Sequence, residues 1–135
     1  VTVGIVVVSH SRALADAAVE LARQMLPGRE LAVEVAAGTE DGGLGTDAMA
    51  VSAAVEAADS GEGTVVLMDL GSAVLSAETA LEFLPDDVRE RTTLSAAPLV
   101  EGLVGAVVVA AGGASREQVA AEAARGLAPK EAQLG

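Results

Sequence analysis

Gly4-Ile5-Val6-Val7-Val8-Ser9-His10-Ser11 is the stretch that decides the fold. With Val3 before it, it is a short run of apolar, largely β-branched residues that ends at the only histidine of the chain. Such a run predicts a fully buried strand. His10 then falls at the carboxyl end of that strand, the edge where open α/β sheets gather ligands and reacting groups.

Working outward, the periodicity alternates. Arg12 to Leu26 has helical spacing, with Leu14, Ala18, Leu21 and Met25 expected to face inward, and Pro27-Gly28 ends it. Leu31–Val35 predicts a second strand. A glycine-rich polar loop, Ala37 to Asp47, leads into a helix to Ala58 with Val51, Val55 and Ala58 inward. Thr64–Met68 predicts a third strand, stopping at Asp69. Ser72 is the expected N-cap of a helix to Leu84, with Val74, Ala77, Leu81 and Leu84 inward, and Pro85-Asp86-Asp87 breaks it. Thr92–Ala96 predicts a fourth strand. Leu103–Ala111 is apolar all round and reads as a helix buried on more than one side, either deep in the monomer or, preferably, against a second copy. Ser115 caps a last helix, Arg116–Leu127, and the tail from Pro129 is expected to be loosely held.

The whole, residues 1–135, is expected to be one α/β domain: doubly wound, with a mainly parallel sheet of about four strands and helices on both faces. With 51% hydrophobic residues but one Phe and no Trp or Tyr, the core must be built from small aliphatic side chains.

Composition removes several chemistries. No Cys means no disulfide, zinc–thiolate site or cysteine nucleophile, and one His excludes a multi-histidine metal site. No metal ligation is expected. A formal net charge of −12 argues against nucleic acid and anionic membranes as partners and favours a partner with a basic face. No apolar stretch is long enough to span a bilayer and no signal peptide is visible, so a cytoplasmic protein without membrane insertion is expected.

His10 and Asp69 end parallel strands at one sheet edge. If those strands are neighbours, ~5 Å apart, the carboxylate can bond one ring nitrogen and leave the other as a nucleophile. Three helix starts are expected nearby: Ser11-Arg12, the end of the Gly38–Asp47 loop, and Gly71-Ser72. Their free N–H groups would receive an anion without lysines. Structural readings stand beside these. His10 can be a partly exposed strand-end residue, Asp69 a helix-start acid, and Glu40, Asp41 and Asp47 a solvated acidic loop rather than a cation site. Glu101 is open between a cap and a site residue. The loop matches neither a P-loop nor a dinucleotide fingerprint, and the only Lys is Lys130.

The segment Gly4–Ser11 resembles the phosphohistidine segment of the mannose-type enzyme IIA domains of the bacterial phosphotransferase system. Met68-Asp69-Leu70-Gly71-Ser72-Ala73, Leu75–Ala80, Gly45-Thr46-Asp47 and Ala97–Gly102 resemble, more narrowly, the DhaM family, the phosphotransferase subunits of dihydroxyacetone kinase. The resemblance implies a flavodoxin-like fold, a homodimer, and a phosphoryl group carried on His10 with no permanently bound cofactor. It implies that phospho-HPr is the donor and that the acceptor is ADP bound on the DhaL subunit, with phosphoenolpyruvate the ultimate source. Asp69 would orient His10. Ser11, Thr39, Gly45, Thr46, Gly71 and Ser72 would cradle the phosphoryl group. The alternative is the IIA component of a mannose-type sugar-transporting system. Some relatives carry fused HPr-like and enzyme I-like domains that do not occur in these 135 residues.

Overall fold

The computed structural model describes all residues, 1–135. Its elements run β1 (Gly4–Ser9), α1 (Arg12–Arg23), β2 (Val33–Ala37), α2 (Ala48–Ala58), β3 (Thr64–Met68) and α3 (Gly71–Leu81). They continue with α4 (Asp86–Glu90), β4 (Thr92–Ser95), α5 (Leu99–Ala111), α6 (Arg116–Ala124) and α7 (Ala128–Leu134). The four strands form one sheet in the order β2-β1-β3-β4, every pairing parallel. The chain steps from β1 outward to β2, then returns past β1 to β3 and β4. The direction of winding therefore reverses between β1 and β3, and the ends of those two strands flank the switch point.

The alternation of β1 explains the two layers. Val3, Ile5 and Val7 face α1, α5 and α6, while Val6 and Val8 face α2 and α3, and all five are essentially inaccessible. A strand sealed on both faces must be apolar at every position, which is why it reads as a continuous run. Gly4 sits where α2 ends against the sheet: a Cβ there would lie 2.3 Å from the carbonyl oxygen of Ala58.

Helices α1 and α3 meet this valine-rich sheet through alanine. The buried face of α1 is Ala15, Ala18 and Ala22. Leu14, Leu21 and Met25, expected inward, lie on its flank about half exposed, at 45%, 46% and 52%. On α3 the inward residues are Ala73, Ala77 and Ala80, and Val74 is turned outward. The branched side chains of the sheet fill the space beneath α1 and α3, so only a small residue fits directly under these two helices, whereas α2 and α5 also bury Val51, Val55, Leu103 and Val107.

Other boundaries also differ from expectation. Pro85 does not simply break the chain; it leads into the one-and-a-half-turn helix α4, with Asp86 and Asp87 in its first turn. The tail forms α7, with Pro129 in its first turn, where a missing N–H costs nothing, and Lys130 paired to Glu101 at 2.5 Å. Helix α5 starts earlier, at Leu99, and buries only one side. Gly102, Leu103, Ala106, Val107 and Ala110 enter the core, and Val100 and Val108 remain outside. No helix is long and apolar enough to cross a membrane.

Candidate functional site

The register of β1 on β3 sets the site. Val8 pairs with Met68, and the Asp69 amide donates to the Val8 carbonyl at 3.1 Å, so Asp69 arrives level with the last residue of β1. Its carboxylate turns onto the next residue, His10. One oxygen, Oδ1, lies 2.9 Å from His10 Nδ1 and accepts from the Leu70 amide at 2.6 Å. The other, Oδ2, accepts from the His10 amide at 3.0 Å and from the Ser9 hydroxyl at 2.8 Å. Burial pushes the Asp69 carboxyl up. The bonds from the His10 amide and ring, Ser9 and Leu70 outweigh that, and hold it below the ordinary carboxylate value. An ionised carboxylate can only accept, so the hydrogen-bond network assigns the proton to Nδ1 and the lone pair to Nε2.

Nε2 faces the start of α3. The Ser72 hydroxyl is hydrogen-bonded to it, and the ring is 30% exposed, enough to be reached from outside. Leu70, the N-cap residue, offers no side-chain cap. The Gly71 and Ser72 amides consequently have no acceptor within the chain, and nothing stands within 4 Å of where a Gly71 side chain would be. A nucleophilic nitrogen beside two free N–H groups at the positive end of an 11-residue helix is suited to a tetrahedral anion bonded to that nitrogen. Exposed Leu44, Leu70 and Val74 belong to the segments around it.

The comparisons with known proteins agree in their direction. The family model described as the phosphotransferase-system fructose IIA component matches residues 4–120. The chain belongs to this IIA family, and to the DhaM group within it. A protein of Pantoea ananatis, named the phosphoryl donor subunit DhaM of a dihydroxyacetone kinase dependent on phosphoenolpyruvate, is 47% identical over 98% of this chain and 28% of its own length. The corresponding subunit of a second such kinase in Listeria innocua is 38% identical over 89% of this chain and 95% of its own. The chain thus spans under a third of the first of these relatives and nearly all of the second. A solved crystal structure of a protein of unknown function superposes with a TM-score of 0.82 at 37% identity, covering 92% of this chain and 94% of that one.

Of the residues that the sequence resemblance singles out, the structure brings His10, Asp69, Gly71 and Ser72 together and gives the remaining candidates other partners. Ser72 is not the N-cap of α3: it is the second helical residue, and its hydroxyl turns to the ring. Ser11 caps α1, accepting from the Leu14 amide at 3.2 Å. Thr39 is bonded inside its own loop, to the Asp41 carboxylate and the Gly43 amide. The Gly45 amide is taken by the His10 carbonyl at 2.9 Å, which fastens the loop to the site. At φ +146° it holds a conformation that favours glycine, and a Cβ would meet Thr39 at 2.8 Å. Thr46 lies 2.6 Å from the Ser76 hydroxyl and donates to the Ser72 carbonyl at 3.2 Å, tying the loop to α3. Asp47 closes the start of α2 by accepting from Met49. Of the three expected helix starts, only that of α3 is left without a side-chain cap. Ser9 and Ser76 were not among the expected site residues. For Ser9 there was a signal: a hydroxyl beside the histidine at the end of an apolar strand needs a buried acceptor.

Proposed function

We propose that this domain carries a phosphoryl group on Nε2 of His10, accepting it from phospho-HPr and passing it to ADP bound on a DhaL subunit. The observation that supports this best is the Nδ1–Asp69 bond at 2.9 Å, with Nε2 left beside the free amides of Gly71 and Ser72. In the first step the Nε2 lone pair attacks phosphorus while the P–N bond to the donor histidine breaks. In the second, a terminal β-phosphate oxygen of ADP attacks and the Nε2–P bond breaks, returning its electron pair to Nε2. The Nδ1 proton stays on the ring throughout. The phosphorylated ring carries more positive charge than the free one, and the Asp69 carboxylate offsets it. Phosphoryl transfer asks the protein chiefly for in-line placement and for donors to the equatorial oxygens, and the start of α3 supplies such donors.

The working unit is a homodimer in this reading. The outward side of α5, with Val100 and Val108, and the flank of α1, with Leu14, Leu21 and Met25, carry apolar side chains that a second copy would cover. The family model is named for a sugar-specific component, which keeps a sugar-permease role as the second reading.

Labelled phosphoenolpyruvate, enzyme I and HPr should give an acid-labile, base-stable adduct on the wild-type chain and none on His10→Ala. Label on His10→Ala would refute the carrier role. Discharge onto dihydroxyacetone should require DhaK, DhaL and ADP; failure of that discharge, with label intact, would favour the permease reading. Sedimentation equilibrium showing a monomer at micromolar concentration would remove the dimer.

A further inference from the structure

Ser9, the last residue of β1, is the one polar side chain of that strand and is fully inaccessible. By alternation it continues the row of Val3, Ile5 and Val7, which packs under α1, α5 and α6. An apolar residue would sit in that row with no polar group to desolvate. A buried hydroxyl adds little net stability when it is bonded and is unfavourable when it is not. What sets Ser9 apart from the valines beside it is therefore its contacts.

Its hydroxyl has three polar neighbours: Asp69 Oδ2 at 2.8 Å, and the Ser11 carbonyl and Ser11 amide at 3.1 Å each. The Ser11 carbonyl already accepts from the Ala15 amide at 3.1 Å, whereas Oδ2 is nearer and charged. The Ser9 proton accordingly goes to Asp69, and the Ser9 oxygen accepts from Ser11. A chain of bonds thus runs from the start of α1 through Ser9 to the carboxylate, each bond polarising the next.

A carboxylate has about four acceptor positions, and here all are used: by His10 Nδ1 and the Leu70 amide on Oδ1, and by the His10 amide and Ser9 on Oδ2. Two of these donors are backbone amides, and one is the ring being oriented. Ser9 is the remaining side chain that sets how the carboxylate stands to the ring. Without it a single amide holds Oδ2, and the group can turn about its Cβ–Cγ bond and carry Oδ1 away from Nδ1.

We infer that Ser9 is a positioning residue for the transfer at His10, its hydroxyl fixing the Asp69 carboxylate at the rotation in which Oδ1 holds Nδ1 and leaves Nε2 to react. The inference rests on the carrier reading. Ser9 presents no surface to a partner, so it acts only through Asp69.

The test measures label uptake from phospho-HPr by rapid quench, over a range of donor concentrations. The proteins are the wild type, Ser9→Ala, Ser9→Thr, Asp69→Asn, and Ser9→Ala combined with Asp69→Asn. Ser9→Ala should lower kcat about 3- to 5-fold and leave KM within about 2-fold, because no part of Ser9 can meet the donor. Ser9→Thr, which keeps the hydroxyl on a strand of β-branched residues, should recover most of the loss. In the Asp69→Asn background, Ser9→Ala should slow uptake by less than about 2-fold more, since the carboxylate it serves is gone. The same fold-loss with and without Asp69 would overturn the assignment, as would an unchanged kcat in Ser9→Ala or a change in KM alone. Apart from activity, the ¹⁵N signals of the His10 ring should shift in Ser9→Ala and return toward their wild-type positions in Ser9→Thr. Unmoved signals in Ser9→Ala would overturn the role whether or not the chain takes label. A wild-type chain that takes no label, with ring signals that move as expected, would instead refute the carrier reading beneath it.

Discussion

Replacing Asp69 by Asn tests the orienting bond most directly, because the shape of the side chain is kept and only its charge and donor pattern change. The carboxylate accepts four bonds, two on each oxygen: His10 Nδ1 and the Leu70 amide on Oδ1, the His10 amide and the Ser9 hydroxyl on Oδ2. An amide has one oxygen to offer. With its NH₂ at the Oδ2 position, Ser9 can rotate its hydroxyl toward the Ser11 carbonyl, 3.1 Å away, but the His10 amide is orphaned. With NH₂ at the Oδ1 position, the Leu70 amide is orphaned and the ring must shift its proton to Nε2, which then cannot attack. Either arrangement leaves one backbone N–H without a partner, at a cost of about 1–3 kcal/mol in stability. Because the two arrangements lose equivalent bonds, both should be populated, and roughly half of the molecules are then in the unreactive tautomer. Even in the reactive half, a charge-assisted bond to a ring that gains positive charge becomes a neutral one, a loss of about 1–1.5 kcal/mol, or roughly 5- to 12-fold in rate. Together these give a slowing of about 10- to 25-fold in rapid-quench label uptake at saturating phospho-HPr. The ¹⁵N spectrum of the His10 ring should change from one tautomer to a mixture. A rate within about 2-fold of wild type, with the ring still protonated on Nδ1 alone, would refute the reasoning.

Two further outcomes are expected. Ser72→Ala removes a neutral hydroxyl that is bonded to Nε2 at rest and is free to turn to an equatorial phosphoryl oxygen once Nε2 bonds phosphorus; the lost transition-state bond, worth about 0.5–1.5 kcal/mol, should slow label uptake roughly 2- to 10-fold, and an unchanged or faster rate would show that the hydroxyl only occupies the lone pair. At the opposite edge of the sheet, the Arg91 guanidinium, bonded to Asp59 at 2.7 Å and 3.0 Å, holds that carboxyl below its ordinary 3.8, as do the Gly61 and Gly63 amides, against the upward push of burial. A depressed folded-state value means that this stabilisation is full above pH 4 or so and is lost as pH falls through the folded value, so Asp59→Asn should melt lower at neutral pH yet lose less on further acidification. Parallel melting curves for the two proteins from neutral to pH 2 would contradict that.

How much of this was legible in the sequence follows from how local each cause is. The strands β1 and β3 declare themselves because a parallel strand sealed on both faces admits only apolar residues, and both runs stop at a titratable side chain. His10 and Asp69 therefore fall at one sheet edge on the sequence alone, and only the adjacency of their strands depends on the tertiary fold. The inward faces of α1 and α3 were legible only in part: Ala18 and Ala77 are buried as expected, whereas Leu14, Leu21 and Val74 are not. Periodicity weights Leu14 and Leu21 above Ala15 and Ala22, whereas the choice between them depends on how much room Val3, Ile5 and Val7 leave across the layer. The cradle was legible only in part. Gly71 and Ser72 follow Asp69 directly and could be placed with it. The partners of Thr39, Gly45 and Thr46 are set by a loop that folds back through Gly38 and Gly42 at positive φ, and nothing in the local residue pattern says which amide that loop presents to His10 and which it consumes.

If His10 carries a phosphoryl group, a chain of net charge −12 must accommodate a dianion. No Lys or Arg is hydrogen-bonded or ion-paired to His10, Asp69 or Ser72; the Arg12 guanidinium, at the start of α1, lies 3.6 Å from Asp16. The amides left open at the start of α3 are then the fixed positive groups beside Nε2, short in range. A site walled with guanidinium groups would bind the phosphoryl group tightly and hold on to it. Two amides and a hydroxyl would orient it without adding a full counter-charge, so the bound state would not be over-stabilised relative to either protein it exchanges with. Under this reading the cations that steady the transition state come with the partner and leave with it. The acidic surface that would repel free phosphate is then the same feature that draws a basic partner to the sheet edge.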